Sequence, residues 1–301
     1  MIKSFIDGKW QETNNLFDAL QFNQRQQEVL SVVGAGGKTT VLRRLQMECI
    51  KKQLPHVIST TTHMQYERNE RFLGHPSLRM LREIFMHCHT VWMGEPVNEW
   101  KMKGFSSEFL REVKNLGFWL LLEADGAKHL PVKAPRSQEP VLLKETTTVV
   151  NVYGMDGIGK KIQDICFGTE QVCKILRKTK EQILEEKDLI LLATSPLAGK
   201  KGVMDCMKYH VILNKTDTEK EYEIAKTIAR DLGKQGISYV HVTSQLMEKK
   251  EKKNESIGER SRRSGKWSSS SIKKKRISSH YDRNRNSFDS AQTGGIFKGC
   301  L

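Results

Sequence analysis

A glycine-rich segment that ends in a lysine and a hydroxyl side chain, from Gly34 to Thr39, is the part of this sequence best suited to chemistry. Glycines let a backbone turn tightly and direct its N–H groups at phosphate oxygens. Lys38 is placed to reach the β- and γ-phosphates of a nucleotide, where it would serve catalysis, and the Thr39 hydroxyl is a ligand for Mg²⁺. We therefore expect seven consecutive residues to bind the phosphates: Gly34, Ala35, Gly36, Gly37, Lys38, Thr39 and Thr40.

The spacing of this loop differs from that of the usual phosphate-binding loop. The pattern Gly-x-x-x-x-Gly-Lys would need a glycine at position 32, where Val32 stands. The loop is shorter, and it resembles the Gly-x-x-Gly-Lys-Thr loops of Mur ligases, which use ATP. The alternative interpretation is a glycine turn with an incidental lysine.

A second motif, Asn214-Lys215-Thr216-Asp217, follows an apolar stretch and precedes a helical one. In GTPases an Asn-Lys-x-Asp turn binds guanine: the aspartate accepts hydrogen bonds from the base, and the lysine stem packs on the ring. We therefore expect Asn214, Lys215 and Asp217 to select GTP, with a polar turn as the alternative. Thr243 and Ser244 follow the last apolar stretch and are candidates to complete the base pocket.

Carboxylates and hydroxyls follow two further apolar stretches. Glu123 and Asp125 are expected to serve catalysis by holding Mg²⁺ or orienting a water molecule, and Asp125 joins Thr39 as a predicted metal ligand. Lys128 and Lys133 are candidates to pair with phosphate or substrate charge. The run from Ser59 to His63 has hydroxyls that suit phosphate or Mg²⁺ contact, in the position of a switch loop. Simple strand caps and solvated lysines are the alternatives.

The elements that must position these residues alternate along the chain. Short apolar, β-branched runs predict strands at 28–33, 56–60, 90–93, 118–122, 147–152, 209–213 and 238–242. Helical periodicity predicts helices at 16–20, 39–52, 78–86, 105–115, 168–176 and 219–232, and the Thr-x-x-Gln spacing at Thr179 predicts the start of another. This alternation predicts an α/β, three-layer, P-loop NTPase-like fold with a mainly parallel sheet and helices on both faces. Ligands bind such sheets at the carboxyl ends of the strands, which every motif above follows.

Composition divides the 301 residues into a nucleotide-binding α/β domain at 1–245 and a basic Ser/Lys/Arg-rich tail at 246–301. The tail has too few apolar residues to bury, so we expect it to be disordered. It holds 15 of the 50 basic residues but only 6 of the 35 acidic ones. The domain is therefore only mildly basic, which suits an anionic ligand, and a nucleic acid partner is not expected.

Cysteine usage and hydropathy predict a cytoplasmic protein. None of the six cysteines forms a Cys-x-x-Cys pair, which indicates a reducing compartment and excludes a disulfide framework. The first residues lack the apolar segment of a signal peptide. No apolar run is long enough to span a membrane, so no membrane partner is expected.

Together these motifs resemble the YqeC family, accessory proteins of selenium-dependent molybdenum hydroxylases. The resemblance covers roughly residues 15–245. It rests on six segments: 32–40 (VVGAGGKTT), 60–64 (TTTHM), 123–140 with its Glu-Ala-Asp-Gly-Ala-Lys block, 154–160 (GMDGIGK), 197–203 (LAGKKGV) and 213–217 (LNKTD). The tail departs from the family pattern, as a change of reading frame near residue 247 would produce. The resemblance implies a cytoplasmic nucleotide-binding protein that helps to mature or insert a selenium-containing molybdenum cofactor, with a molybdenum hydroxylase or a maturation protein as its partner.

Three hypotheses follow for the activity. The favoured one is a Mg²⁺-dependent, GTPase-like NTPase whose hydrolysis gates cofactor transfer. The second is an enzyme that uses ATP to activate a substrate, which the short loop permits. The third is a binding module without turnover, either a nucleotide-gated adaptor or an RNA-binding protein that uses its basic tail.

Overall fold

Fifteen strands, eight α-helices and a short 3₁₀ helix (Met155–Gly157) are present in the computed structural model, which describes residues 2–66 and 69–244. The strands are β1 (Ile2–Ile6), β2 (Lys9–Thr13), β3 (Val29–Gly34), β4 (His56–Thr60), β5 (His63–Gln65), β6 (Phe72–Leu73), β7 (Val91–Met93), β8 (Glu95–Pro96), β9 (Lys101–Lys103), β10 (Trp119–Glu123), β11 (Val132–Lys133), β12 (Thr148–Gly154), β13 (Cys166–Phe167), β14 (Lys208–Asn214) and β15 (Tyr239–Val242). The helices are α1 (Leu16–Ala19), α2 (Lys38–Lys51), α3 (Leu78–Cys88), α4 (Ser107–Asn115), α5 (Ile162–Ile165), α6 (Thr169–Leu176), α7 (Glu186–Thr194) and α8 (Glu219–Lys234).

Ten of these strands form one sheet, in the order β2-β1-β15-β14-β12-β3-β10-β4-β7-β6. The eight strands from β15 to β6 pair in parallel, whereas β1 and β2 add an antiparallel hairpin at one edge. The fold is therefore α/β with a large, mostly parallel central sheet, as the sequence predicts. Two small sheets, β11-β13 and β5-β9-β8, lie outside it.

Helices pack on both faces of the central sheet, as the alternation of β10 side chains shows. Trp119 and Leu121 pack in an apolar cluster with residues of α1 and α2. Leu120 and Leu122 point the other way, into a cluster with residues of α3 and α4. Farther along that second face, α6, α7 and α8 cover β12, β14 and β15. Because both faces are covered, the central strands are buried along most of their length and are mostly apolar, without a regular alternation of apolar and polar residues.

The predicted helix start at Thr179 is wrong. The Thr179 N–H does donate to Gln182 Oε1 at 2.7 Å, but a turn follows, and Ile183 makes a bridge to Lys161. The helix α7 begins at Glu186 instead, after a capping box formed by Glu185 and Asp188. A capping-box spacing alone thus marks a local turn as readily as a helix.

The β1-β2 hairpin, which covers the free edge of β15, was not predicted from the sequence. Its turn is Asp7-Gly8, with φ angles of 46° and 82°. An Asp-Gly pair between two strands is a recognised hairpin signal. The predicted disordered tail at 246–301 lies outside the described residues. Within the described part of the chain, no helix is long and apolar enough to cross a membrane.

Candidate functional site

The predicted phosphate, carboxylate and base motifs all lie at one edge of the sheet. They follow β3, β10 and β14, which are parallel members of the same sheet, so their carboxyl ends face the same way. The side chains at these ends are in direct contact, as the hydrogen bonds below show. The structure therefore brings together motifs that are far apart in the sequence.

Within the glycine loop, the first three N–H groups are already hydrogen-bonded inside the protein. The N–H of Gly34 donates to Asp125 Oδ2 at 3.0 Å. Those of Ala35 and Gly36 donate to the carbonyl oxygens of Val152, at 2.8 Å, and Leu130, at 3.0 Å. These three amides hold the loop in shape, so the loop's remaining N–H groups are those at the start of α2.

Gly36 is required by a close approach of two loops. Its φ angle is 77°, and a Cβ atom placed on it would lie 2.2 Å from the backbone nitrogen of Gly154. Gly154 ends β12, the strand beside β3. Any larger residue at position 36 would push the loop after β12 away from the phosphate loop.

The amino end of α2 directs N–H groups toward the same edge. Gly37 is the N-cap, with a φ angle of 128° and no side-chain cap. The first helical hydrogen bond runs from Val41 N to Gly37 O at 3.1 Å. The N–H groups of residues 38–40 precede this ladder and have no intrahelical acceptor. Together with the dipole of a 14-residue helix, they form a favourable environment for an anion.

Lys38 is buried, with 5% of its surface exposed, and its ammonium lies between the loop and two carboxylates. Its Nζ atom donates to Gly34 O at 2.8 Å and lies 3.1 Å from Asp125 Oδ1. Glu123 Oε1 is farther away, at 3.9 Å. The positive charge is thus held beside the start of α2, where the phosphates are predicted to bind.

Glu123, the last residue of β10, is hydrogen-bonded to the predicted metal ligand Thr39. The Thr39 hydroxyl donates to Glu123 Oε2 at 3.1 Å. Burial raises the pKa of Glu123, and the charge of Lys38 together with the Thr39 hydrogen bond partly offsets that effect. This hydroxyl–carboxylate pair has the oxygen chemistry that Mg²⁺ prefers. Among the described residues, no three His, Cys, Asp or Glu side chains are close enough to hold a metal without other ligands.

Asp125 joins two buried lysines rather than facing Thr39. Its Oδ2 atom lies 3.0 Å from Lys133 Nζ and accepts the Gly34 N–H, while Oδ1 faces Lys38. Lys133 also contacts Glu139 Oε2 at 2.8 Å and the carbonyl oxygen of Gly126 at 2.6 Å. Asp125 therefore fixes the glycine loop and both lysines at once.

Asn214, the first residue of the predicted base motif, contacts the phosphate loop. Its Nδ2 atom donates to Gly36 O at 2.8 Å, and its Oδ1 atom accepts from the Thr243 hydroxyl at 2.9 Å. The Thr216 hydroxyl in turn donates to Thr243 O at 3.0 Å. Three predicted segments, 34–39, 214–217 and 243–244, are thereby joined.

Asp217 and Lys215 stand at the solvent side of this junction. Asp217 is exposed, and its Oδ1 atom accepts from the Ser244 hydroxyl at 2.5 Å. Lys215 is half-buried, has a left-handed φ angle of 63°, and pairs with Asp156 Oδ2 at 2.8 Å. Asp156 belongs to the Gly-Met-Asp-Gly segment after β12, and the sequence analysis assigned it no role.

Three hydroxyls of the predicted switch loop donate hydrogen bonds within the fold. The buried Thr60 hydroxyl donates to Glu123 O at 2.7 Å, and the Thr61 hydroxyl donates to Val141 O at 2.7 Å. Thr40 is exposed on the first turn of α2. The Ser59 hydroxyl donates to Met93 O at 2.7 Å, so the structure places the 59–63 segment beside Glu123 with three of its hydroxyls directed at backbone oxygens.

Asn151 is a site residue that the sequence analysis missed. It lies in the middle of the apolar strand β12, is 2% exposed, and donates through Nδ2 to the hydroxyls of Tyr153 and Tyr209, each at 3.1 Å. A Cβ atom on Gly34 would lie 2.2 Å from Asn151 Oδ1. A lone polar residue inside an otherwise apolar strand is the signal that could have identified it.

Comparison with known proteins places the chain in a family. The family model described as YqeC protein matches residues 30–170, which include the glycine loop and the 123–128 block. The uncharacterized protein YqeC of Escherichia coli (strain K12) is 30% identical over 192 residues, covering 60% of this chain and 73% of that protein. No solved structure matches the chain. The chain therefore belongs to the YqeC family.

Proposed function

We propose that this protein binds a nucleoside triphosphate with Mg²⁺ at the carboxyl edge of its sheet, and that it prefers GTP. The observation that carries the proposal is the 2.8 Å hydrogen bond from Asn214 Nδ2 to Gly36 O. It joins two motifs that lie 178 residues apart in the chain, one suited to phosphates and the other to guanine.

The topology of the sheet supports a P-loop NTPase-like interpretation. The chain leaves β3 through α2 and enters β4 on one side of β3, whereas β12 lies on the other side. Such a reversal creates a crevice at the carboxyl ends, where α/β proteins bind ligands. The glycine loop after β3 and the segment after β12 border this crevice.

For the phosphates, we assign the N–H groups at the start of α2 and the ammonium of Lys38. Bound phosphates would draw Lys38 Nζ from Gly34 O and Asp125 toward the ligand. Asp125 would keep Lys133 and the Gly34 N–H as partners, so the loop would hold its shape. This arrangement supplies positive charge without leaving a carboxylate unpaired.

For Mg²⁺, we assign the Thr39 hydroxyl, with Glu123 beside it. Bound Mg²⁺ would neutralise phosphate charge and polarise the terminal phosphate. Asp125, the predicted metal ligand, acts in this proposal by positioning the loop and Lys38. Glu123 and Asp125 remain the candidate groups for orienting an attacking water.

For the base, we assign Asp217, held in place by the Ser244 hydroxyl, and the stem of Lys215, held by Asp156. An ordered carboxylate can accept two hydrogen bonds from the N1 and N2 donors of guanine. Adenine has no such pair of donors, so this arrangement supports GTP over ATP.

The cellular role proposed here comes from the family resemblance: nucleotide binding would gate the maturation of a selenium-dependent molybdenum hydroxylase or its cofactor. The short glycine loop keeps an ATP-dependent, substrate-activating enzyme as the second candidate. A nucleotide-gated adaptor without turnover differs from both in releasing no phosphate.

Isothermal titration calorimetry of the full chain with GTP and with ATP, each with Mg²⁺, tests the proposal. We expect GTP to bind more tightly, and Lys38→Met, which keeps the apolar stem, to weaken binding by about 100-fold, or about 2.7 kcal/mol. Lys51→Met, on the exposed last turn of α2, is the matched control and should bind like the wild type. Tighter binding of ATP would favour the second candidate, and no binding of either nucleotide would refute the proposal.

A further inference from the structure

Three cations surround the ring of Phe167 beside the phosphate loop. Lys133 Nζ lies 5.2 Å from the ring centroid, the guanidinium carbon of Arg136 lies at 4.7 Å, and Lys128 Nζ lies at 6.0 Å. We call Lys128, Lys133 and Arg136 the basic rim. The ring's negative face stabilises cations, but it does not neutralise three of them.

The carboxylates near the basic rim form ion pairs with its buried member, Lys133. Asp125 and Glu139 both pair with Lys133, which is 3% exposed. Lys128 and Arg136 are exposed, and neither has an ion-pair partner among residues 2–66 and 69–244. The basic rim thus presents two exposed cations with no carboxylate partner, both near the ring of Phe167.

A small pocket lies beside the glycine loop, and the buried Lys133 is the member of the basic rim that lines it. Its lining includes Gly34, Asp125, Lys133, Asn151 and Gly199. It has room for about one water-sized group. The pocket therefore admits a hydroxyl or a water molecule but no larger group.

The lining of this pocket holds an unsatisfied acceptor. Asn151 Oδ1 is buried and has no hydrogen-bond partner. Its orientation is fixed because Nδ2 contacts the carbonyl oxygen of Gly199 at 3.3 Å, and that oxygen can only accept. A buried acceptor without a donor is costly, so a ligand donor at this position would be favourable.

We propose that the basic rim and this pocket bind a second ligand: a small anionic molecule with a tetrahedral oxyanion group and a neighbouring hydroxyl. Lys128 and Arg136 contact the oxyanion, and Asn151 Oδ1 accepts from the hydroxyl. The inference deepens the proposed function, because Asp125 lies 3.1 Å from Lys38 on one side and 3.0 Å from Lys133 on the other. The second ligand would thus lie next to the nucleotide phosphates, as a substrate would.

The recessed position of Lys133 favours a small molecule over an extended polyanion. Lys133 lies beneath the surface, beside a pocket of water size, and only a compact group reaches both it and the exposed cations. An RNA strand would instead contact exposed cations along a track.

The test is calorimetric titration of inorganic pyrophosphate into the full chain at constant ionic strength, without nucleotide. All variants carry Lys38→Met, which weakens any binding at the phosphate loop. We expect this parent to bind pyrophosphate, and adding Lys128→Ala with Arg136→Ala to weaken binding at least about tenfold. Lys174→Ala with Lys220→Ala removes the same charge from exposed helical positions and should change affinity less than about twofold.

The possible outcomes separate this inference from the proposed function. Equal weakening by the two double variants would show a general charge effect and overturn the inference. No binding by the parent, or binding only of single-stranded RNA, would also overturn it. If wild type binds neither GTP nor ATP while the rim-dependent binding persists, the proposed nucleotide site fails and the anion site stands.

Discussion

Two buried polar clusters lie in the same sheet and differ in charge, position and exposure to a ligand. One lies at the carboxyl ends of the strands and contains charged groups: Lys38, Asp125, Lys133 and Glu123. The other lies within β1, β15 and β14, where the Ser4 hydroxyl, His241 and His210 form a chain of hydrogen bonds of 2.8 and 2.9 Å. All three members of the second cluster are fully buried.

This difference in charge marks the first cluster as a candidate binding site and the second as a hydrogen-bond network that stabilises the fold. Burial lowers the pKa of both histidines, that of His241 to about 3, so the second cluster is neutral and needs no counter-ion. The first cluster pairs lysines with carboxylates beside the start of a helix. Burying a charged side chain costs free energy, so buried charged groups are often found at sites that bind a ligand.

Breaking the charged cluster should have the largest effect on stability. Asp125→Ala leaves Lys38 and Lys133 without their shared carboxylate, and we expect it to lower the free energy of unfolding by about 3–5 kcal/mol. Urea denaturation monitored by circular dichroism measures this change. A loss below about 1 kcal/mol would mean that the cluster is not held by Asp125.

Breaking the neutral cluster of Ser4, His241 and His210 should lower the free energy of unfolding by less than breaking the charged cluster. Ser4→Ala leaves His241 Nδ1 without its partner, which should lower the free energy of unfolding by about 1–3 kcal/mol. The same denaturation experiment applies, and Ser4→Ala should leave GTP affinity unchanged. A larger loss than that of Asp125→Ala would reverse the comparison.

The two histidines also predict a pH dependence. In the unfolded chain both histidines take up protons below the ordinary pKa of 6.5, whereas in the folded protein the buried imidazoles stay neutral. Their contribution to the free energy of unfolding is therefore present above pH 6.5 and is lost as pH falls toward 3. Each histidine should contribute a slope of up to about 1.4 kcal/mol per pH unit. Denaturation between pH 7 and pH 5 should show a flatter profile for His241→Asn; identical slopes would contradict the assignment.

The smallest expected effects concern the base motif. Ser244→Ala removes one hydrogen bond to Asp217 and should weaken GTP binding about fivefold, or about 1 kcal/mol, while ATP binding changes little. Displacement of a fluorescent GTP analogue from the protein by GTP and by ATP measures the ratio of the two affinities. Equal weakening for both would place Ser244 outside base recognition.

Much of the fold could be predicted because the central strands are short, apolar and bounded by glycine or polar residues. The strand β4, for example, has the predicted bounds. The edges of the sheet were harder to predict from the sequence, since the β1-β2 hairpin depends on pairing with β15, more than 230 residues away. Periodicity within a segment carries no information about such a neighbour.

The site could be predicted as a set of motifs but not as a set of contacts. Glycine spacing and polar residues after strands indicated 34–40, 123–125 and 214–217. The pairing of Lys133 with Asp125, and the roles of Asn151 and Asp156, depend on which strands are adjacent. Strand order is a property of the whole fold, so a local pattern could not supply these contacts.

The central claim is that residues 34–40 and 214–217 form one nucleotide site, and hydrogen–deuterium exchange tests it most directly. Titrating GTP with Mg²⁺ into the full chain should slow amide exchange at 37–41, 214–217 and 243–244, with a common midpoint for all three segments. Protection of only one segment, or none at a GTP concentration that saturates binding, would contradict the account.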